Sequence, residues 1–273
     1  MLRQSLGKRI PLSWSWDHER YNTPLLIGAL ILIWEIGAYQ SSPNRFPSVL
    51  EICVGLYAIA TGATRFAFIP EMSATIFRLI IVVLLALLIG VPLGIMMGRS
   101  QISADFLSVY VLLSMSIPAF VWAFLGVLWF GMTEYLVTIM VGVIVLTPYV
   151  VFNIWQGTKE VDDNLVEMGS VFELDTRSTW KNIFIPHLLP YILSSTRMIV
   201  AVGWKIMLVA EIFGARNGLG FVINEYFLSH QNDMILAWSI PLMALIFVFE
   251  RLLRRLETNL FDWKNDTDNY VAA

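Results

Sequence analysis

Groups able to do chemistry are sparse in this chain and badly placed for it. His18, His187 and His230 lie far apart, with no metal-ligand spacing. Cys53 is the only cysteine, which excludes an intrachain disulfide and any cysteine-based metal cluster. The sequence contains no Walker A glycine loop, no G-x-S-x-G elbow and no H-E-x-x-H helix. The polar residues that call for explanation are instead embedded in apolar runs. Arg197, Trp204 and Glu211 are spaced by seven, so on a helix they drift only about 20° per step and share one face. Lys205 projects about 100° around from Trp204. Charges inside a bilayer are costly and face a bundle interior or a water-filled path. Any chemistry that is needed must therefore come from a partner.

The elements that carry these residues are membrane helices. The chain has 273 residues, 57% of them hydrophobic and only 14% charged, with a mean hydropathy of +0.68. A soluble domain carries roughly 25% charged residues, and this composition would leave a soluble fold with one large sticky surface. Spans of about 20 apolar residues fit the chain about six times. They are predicted at Leu25–Tyr39, Ile76–Gly98, Phe106–Gly131, Tyr135–Trp155, Tyr191–Phe213 and Ile235–Phe249. The first run starts too late, and lacks the small-residue cleavage signal, for a signal peptide. In the second, Ala86, Gly90, Gly94 and Gly98 recur every fourth residue, a face that lets helices approach closely. Pro92 is expected to bend that span, and Pro118 to break the third.

Charge sets the expected orientation. With the N-terminus inside, twelve Lys and Arg residues flank the inner side and three the outer, while Arg78, Arg197 and Lys205 fall within spans. Residues 1–23 then form a cytoplasmic segment, 24–250 a transmembrane domain and 251–273 a cytoplasmic tail anchored by Arg251, Arg254 and Arg255. The net charge of −3 gives no field that would attract nucleic acid.

The cytoplasmic stretch Gln156–Pro190 is more than a connector. Asn164 with Glu167 reads as a capping box opening a short helix that runs to about Phe172. Asp175 or Thr176 is expected to cap a second short helix, stopped by Pro186 and again by Pro190. Two short helices between spans make a knob. It could lie on lipid as an interfacial helix, but the acidic bias of Glu160, Asp162, Asp163, Glu167, Glu173 and Asp175 favours a protein partner over an anionic membrane surface.

In this loop the sequence resembles the permease subunits of bacterial ABC importers of the nitrate/sulfonate/taurine type. Their coupling signature has the form E-A-A-x3-G-x9-I-x-L-P. Glu167-Met168-Gly169 takes the first three places, and Ile183, Ile185 and Pro186 take the last ones at matching spacing. Further matches run from about Phe46-Pro47 to Trp263. They include Leu128-Trp129-Phe130-Gly131, Asn153, Gly157, Leu189-Pro190-Tyr191-Ile192, Arg197, Trp204, Ala210-Glu211 and Gly218-Leu219-Gly220. The resemblance implies an all-α, type I ABC importer permease fold in a bacterial inner membrane. It also implies a second permease subunit, here a homodimer, and two cytoplasmic ATPase subunits that hold ATP and Mg, with no cofactor in this chain. A periplasmic or lipid-anchored binding protein would deliver a small solute, such as an organic anion. Coupling would fall to the loop bearing Asn164, Glu167, Met168, Gly169, Glu173, Ile183 and Pro186.

The chain departs from the family in places. Glu173 stands where the signature has glycine, an arginine usual near Met115 and prolines near Ser116 and Phe124 are absent, and Lys205 replaces an apolar residue. Several positions keep two readings. Pro118 and Trp122 in an aromatic-rich segment, with Arg197, Trp204, Lys205 and Glu211, either line the path or serve packing, snorkelling and capping. Lys205 either meets solute or forms a permanent bridge to Glu35 or Glu211. Gly218 and Gly220 form either an external gate or an ordinary tight turn. Outside the ABC class, an ion-coupled secondary transporter would need Glu35 and Glu211 as coupling carboxylates. Within it, an uncharged or aromatic solute is the alternative cargo.

Overall fold

The structure, a computed structural model, describes residues 19–41, 45–172 and 174–271, and every regular element among them is helical. Helix α1 (Glu19–Gln40) lies at the periphery, with Leu25, Leu30 and Ile33 exposed as lipid-facing side chains should be. Its Trp34 indole donates to the Pro47 carbonyl at 3.0 Å, and its Glu35 carboxylate accepts the Val49 N–H at 3.1 Å. Glu35 thereby satisfies a free amide at the start of α2 (Val49–Thr61). That start also has a capping box, Ser48 with Glu51, and its end is set by Gly62 at φ +73°.

Three long helices make the core: α3 (Phe68–Arg99), α6 (Leu136–Lys159) and α9 (Ile185–Gly214). The small-residue stripe of α3 lies against α6. A Cβ added at Gly90 would sit 2.7 Å from Val150, one at Gly94 2.7 Å from Ile154, and one at Gly98 2.4 Å from Thr158. Without a hydrophobic drive between helices in lipid, this close backbone approach is what lets dispersion hold the pair together. α6 binds α9 in turn: the Asn153 amide donates to the Tyr191 carbonyl (3.0 Å) and to the Ser195 hydroxyl (2.8 Å), and Gly157 lies beneath the Tyr191 ring. Val82, Leu146, Ile154, Ile199 and Met207 are fully enclosed between these helices.

The run Phe106–Gly131 is two helices, α4 (Gln101–Ser116) and α5 (Ala119–Phe130), meeting at 95°. Pro118 forces Ile117 into an extended conformation with ψ 122°, so the helix cannot continue through it. α3, by contrast, continues through Pro92 as one helix. By length and hydropathy, four helices can cross a membrane, and the bent pair would make a fifth. The apolar part of α1, Pro24–Gln40, falls short of that length, so the expected six spans are four full helices, one broken span and one shorter apolar helix. The remaining elements are α7 (Asp163–Val171), a short α8 (Thr176–Thr179), α10 (Leu219–Leu228) and α11 (Asn232–Val271).

The second helix of the loop does not stop at the prolines. α8 passes through one π-helical turn, Trp180–Phe184, directly into α9, making a continuous rod from Thr176 to Gly214. The π turn carries the Ile185 N–H back to the Trp180 carbonyl, and Pro186, which has no N–H to give, follows directly where the ladder changes from π to α spacing. Pro190 is absorbed one turn later.

Candidate functional site

Polar chemistry is concentrated at the two ends of the bundle. At the α7 end, α7 is capped by Asp162 rather than Asn164. The Asp162 carboxylate accepts the Asn164 N–H (2.9 Å) and side-chain amide (2.8 Å), so Asn164 is already inside the helix. Aspartate and asparagine cap equally well, and the acid two residues earlier takes the role. Glu167 and Met168 are exposed, whereas Gly169 is buried, with Ile183 and Leu174 each 3.4 Å from where its Cβ would be. Glu173 lies outside the described residues. Leu165, Met168 and Phe172 are 45%, 52% and 70% exposed, so the loop expected to be an acidic knob also presents an apolar ridge. A hollow of about 280 Å³ opens beside it, bounded by Val161, Ile183 and His187.

The loop is attached to the core at several points. The Arg99 guanidinium, at the end of α3, lies 5.2 Å from the Trp180 ring and 5.3 Å from the Phe184 ring, both on the π turn. The two rings pack at 4.6 Å. His187 meets the Gly157 carbonyl at 3.1 Å, and the Tyr191 hydroxyl donates to Glu160, tying the start of α9 to the end of α6. Asp175 caps α8: hydrogen bonds from the Ser178 hydroxyl and N–H hold its carboxyl below the usual range.

At the α10 end a buried ion pair holds a glycine turn. Arg78 of α3 and Glu211 of α9, both fully buried, meet at 2.6 Å. The Arg78 guanidinium also donates to the Glu134 carbonyl (2.8 Å), the Asn217 carbonyl (3.0 Å) and the Asn217 side chain. Glu211 accepts from the Thr75 hydroxyl and the Gly220 N–H, each at 2.9 Å, and Thr75 accepts the Leu219 N–H at 2.9 Å. Glu71 takes the Gly218 N–H at 2.5 Å. Gly218 has φ +102°, and a Cβ there would lie 2.5 Å from both Arg78 Nη1 and Glu211 Oε1. Each hydrogen-bonding group is answered, as a charge pair in a low-dielectric interior requires.

The candidate pathway residues are therefore dispersed. Glu211 does not snorkel at a boundary; it is committed to Arg78, and with Gly220 it belongs to this network. Trp204 is fully buried and packs edge-on against Phe249 of α11 at 5.7 Å. Arg197 is exposed and does not share their buried face, because each heptad step back along α9 turns it about 20° towards the open side. Lys205 is also exposed. The bridges proposed for it do not form, since Glu35 serves Val49 and Glu211 serves Arg78. Pro118 sits exposed at the α4–α5 bend, and Trp122 is half-buried against the core. Arg78 was assigned no role by sequence reasoning, although an arginine inside an apolar span must find a counter-charge. No group of three histidine, cysteine or acidic residues is placed to hold a metal ion among the described residues.

The described residues form a bundle of apolar helices with a structured loop at one end. The family described as "binding-protein-dependent transport system inner membrane component" matches residues 90–262, and the chain belongs to it, with the type I ABC permease fold. Relatives align over nearly the whole length. The taurine transport system permease protein of Escherichia coli K12 is 26% identical, covering 93% of this chain and 94% of that protein. A putative aliphatic sulfonates transport permease protein of Bacillus subtilis is 25% identical, covering 88% and 87%. The formylaminopyrimidine transport permease protein of Halalkalibacterium halodurans is 24% identical, covering 91% and 98%.

Proposed function

We propose that this chain is the translocating subunit of an importer that takes up a small organic anion of the taurine or sulfonate kind. The names of two relatives, for taurine and aliphatic sulfonates, support that cargo. The subunit works as a pair with a second copy, receives solute from an extracytoplasmic binding protein, and is driven by two ATPase subunits that bind ATP and Mg. It lies in the bacterial inner membrane with both termini and the Gln156–Pro190 loop in the cytoplasm, so that α10 is external.

The single observation that carries this reading is α7. A short capped helix exposes Glu167, Met168 and an apolar ridge, while Arg99, Glu160 and His187 link its loop to α3, α6 and α9. A push on α7 is thus delivered to the core. An ion-coupled transporter finds less support, because Glu35 and Glu211, its coupling carboxylates, are bound in structural contacts. An uncharged aromatic cargo is the second reading, favoured by the formylaminopyrimidine relative.

Co-purification with the ATPase tests the proposal. Glu167→Arg should insert normally yet lose ATPase association, and the purified chain alone should hydrolyse no ATP. Full association and transport by the variant, or robust hydrolysis by the isolated chain, would refute it.

A further inference from the structure

α9 leaves one face uncovered by its own subunit. Ser194, Arg197, Met198 and Lys205 are exposed, whereas Ile199, Trp204, Met207 and Glu211 are buried. Lys205 lies on this open face and near mid-depth. Nine residues separate it from Gly214, about 14 Å at helical rise, close to half of a ~30 Å hydrocarbon core. Its neighbour Gly203 packs on Leu79 and Leu146, well inside α3 and α6. An ammonium at that depth is costly against lipid, and either boundary lies beyond the reach of its four-carbon stem. Lys205 forms no ion pair among the described residues. Its charge therefore needs water and an anion that the subunit does not supply.

We propose that Lys205 is an anion-binding residue of the transport path, holding the sulfonate or carboxylate of a small solute as it passes α9. This rests on the importer reading above and names the chemistry by which that site selects its cargo. The open face of α9 then looks into a water-filled path closed from the far side by the second permease subunit.

The experiment uses the complete complex with its ATPase and binding protein in membrane vesicles, in a Cys53→Ser background. Ala201→Cys places a thiol one turn from Lys205. Its modification is timed with an anionic methanethiosulfonate bearing a sulfonate and with a cationic one bearing trimethylammonium. With Lys205 present, the anionic reagent should be favoured by about tenfold more than in Lys205→Met. Lys205→Arg should retain the preference, and Lys205→Gln replaces the methionine variant if that one does not assemble. A thiol inert to both reagents, or a ratio unchanged by removing the charge, overturns the proposal. Loss of ATPase association in the parent complex would instead refute the importer reading, and is scored separately.

Discussion

The two ends of the bundle solve opposite problems. At the α10 end, Arg78, Glu211, Thr75 and the Gly218–Gly220 turn form a closed polar network with both charges fully buried. At the α7 end, charged and apolar side chains stand in the open, and the ties to the core are cation–π contacts and single hydrogen bonds. The network's groups answer one another within the subunit, whereas the ridge stays exposed and is the surface on which the proposed docking of a partner rests. Gly218 and Gly220 belong to this network, their N–H groups donating to Glu71 and Glu211 and so joining the start of α10 to α3 and α9.

The largest effect should come from breaking the closed end. Arg78→Met strands a buried carboxylate and should cost about 3–5 kcal/mol, read as lost folding yield or a lower Tm in detergent. The double variant Arg78→Met/Glu211→Met should recover much of that loss. If the single variant is as stable as the parent, the network does not hold this end together. Next comes the glycine seam between the ends. Gly94→Val places new carbons where Ile154 and the Val151 carbonyl already lie and should cost about 1–3 kcal/mol, again visible in Tm.

The open end should respond differently. Met168→Glu removes an exposed apolar anchor and should leave Tm unchanged while weakening ATPase association about tenfold or more, measured by titration in detergent. A fall in Tm would place α7 with the closed end instead. The smallest effect concerns Asp175. Its carboxyl is depressed below its unfolded value, so its contribution to the start of α8 is present above that unfolded value and lost as pH falls through the folded one. A fall in the protection of the Ser178 amide against exchange, relative to its intrinsic rate at each pH, on acidification and absent in Asp175→Asn would show this.

The parts of the fold most legible in the sequence were those set by backbone sterics. The four-residue recurrence of Ala86, Gly90, Gly94 and Gly98 announced a close helix contact on α3, though not that α6 would make it, and Pro118 announced the broken span. Pro186 and Pro190 were misleading, because a π turn ends just before Pro186 and α9 runs on through Pro190, which turns an expected stop into a continuous rod. The α7 cap slipped by two residues because Asp162 and Asn164 offer the same chemistry in adjacent registers. The role of Arg78 needed tertiary structure, since its partner is 133 positions away in the chain. So did the sorting of Arg197, Trp204, Lys205 and Glu211, whose spacing allows one face but whose burial depends on which neighbours cover it.

The central claim, that α7 is where another subunit pushes, can be tested at one side chain. A photo-activatable cross-linker placed at Met168 in the assembled complex should yield an adduct with the ATPase subunit, with a yield that changes on ATP binding. Adducts confined to lipid, or none to the ATPase in either state, would contradict it.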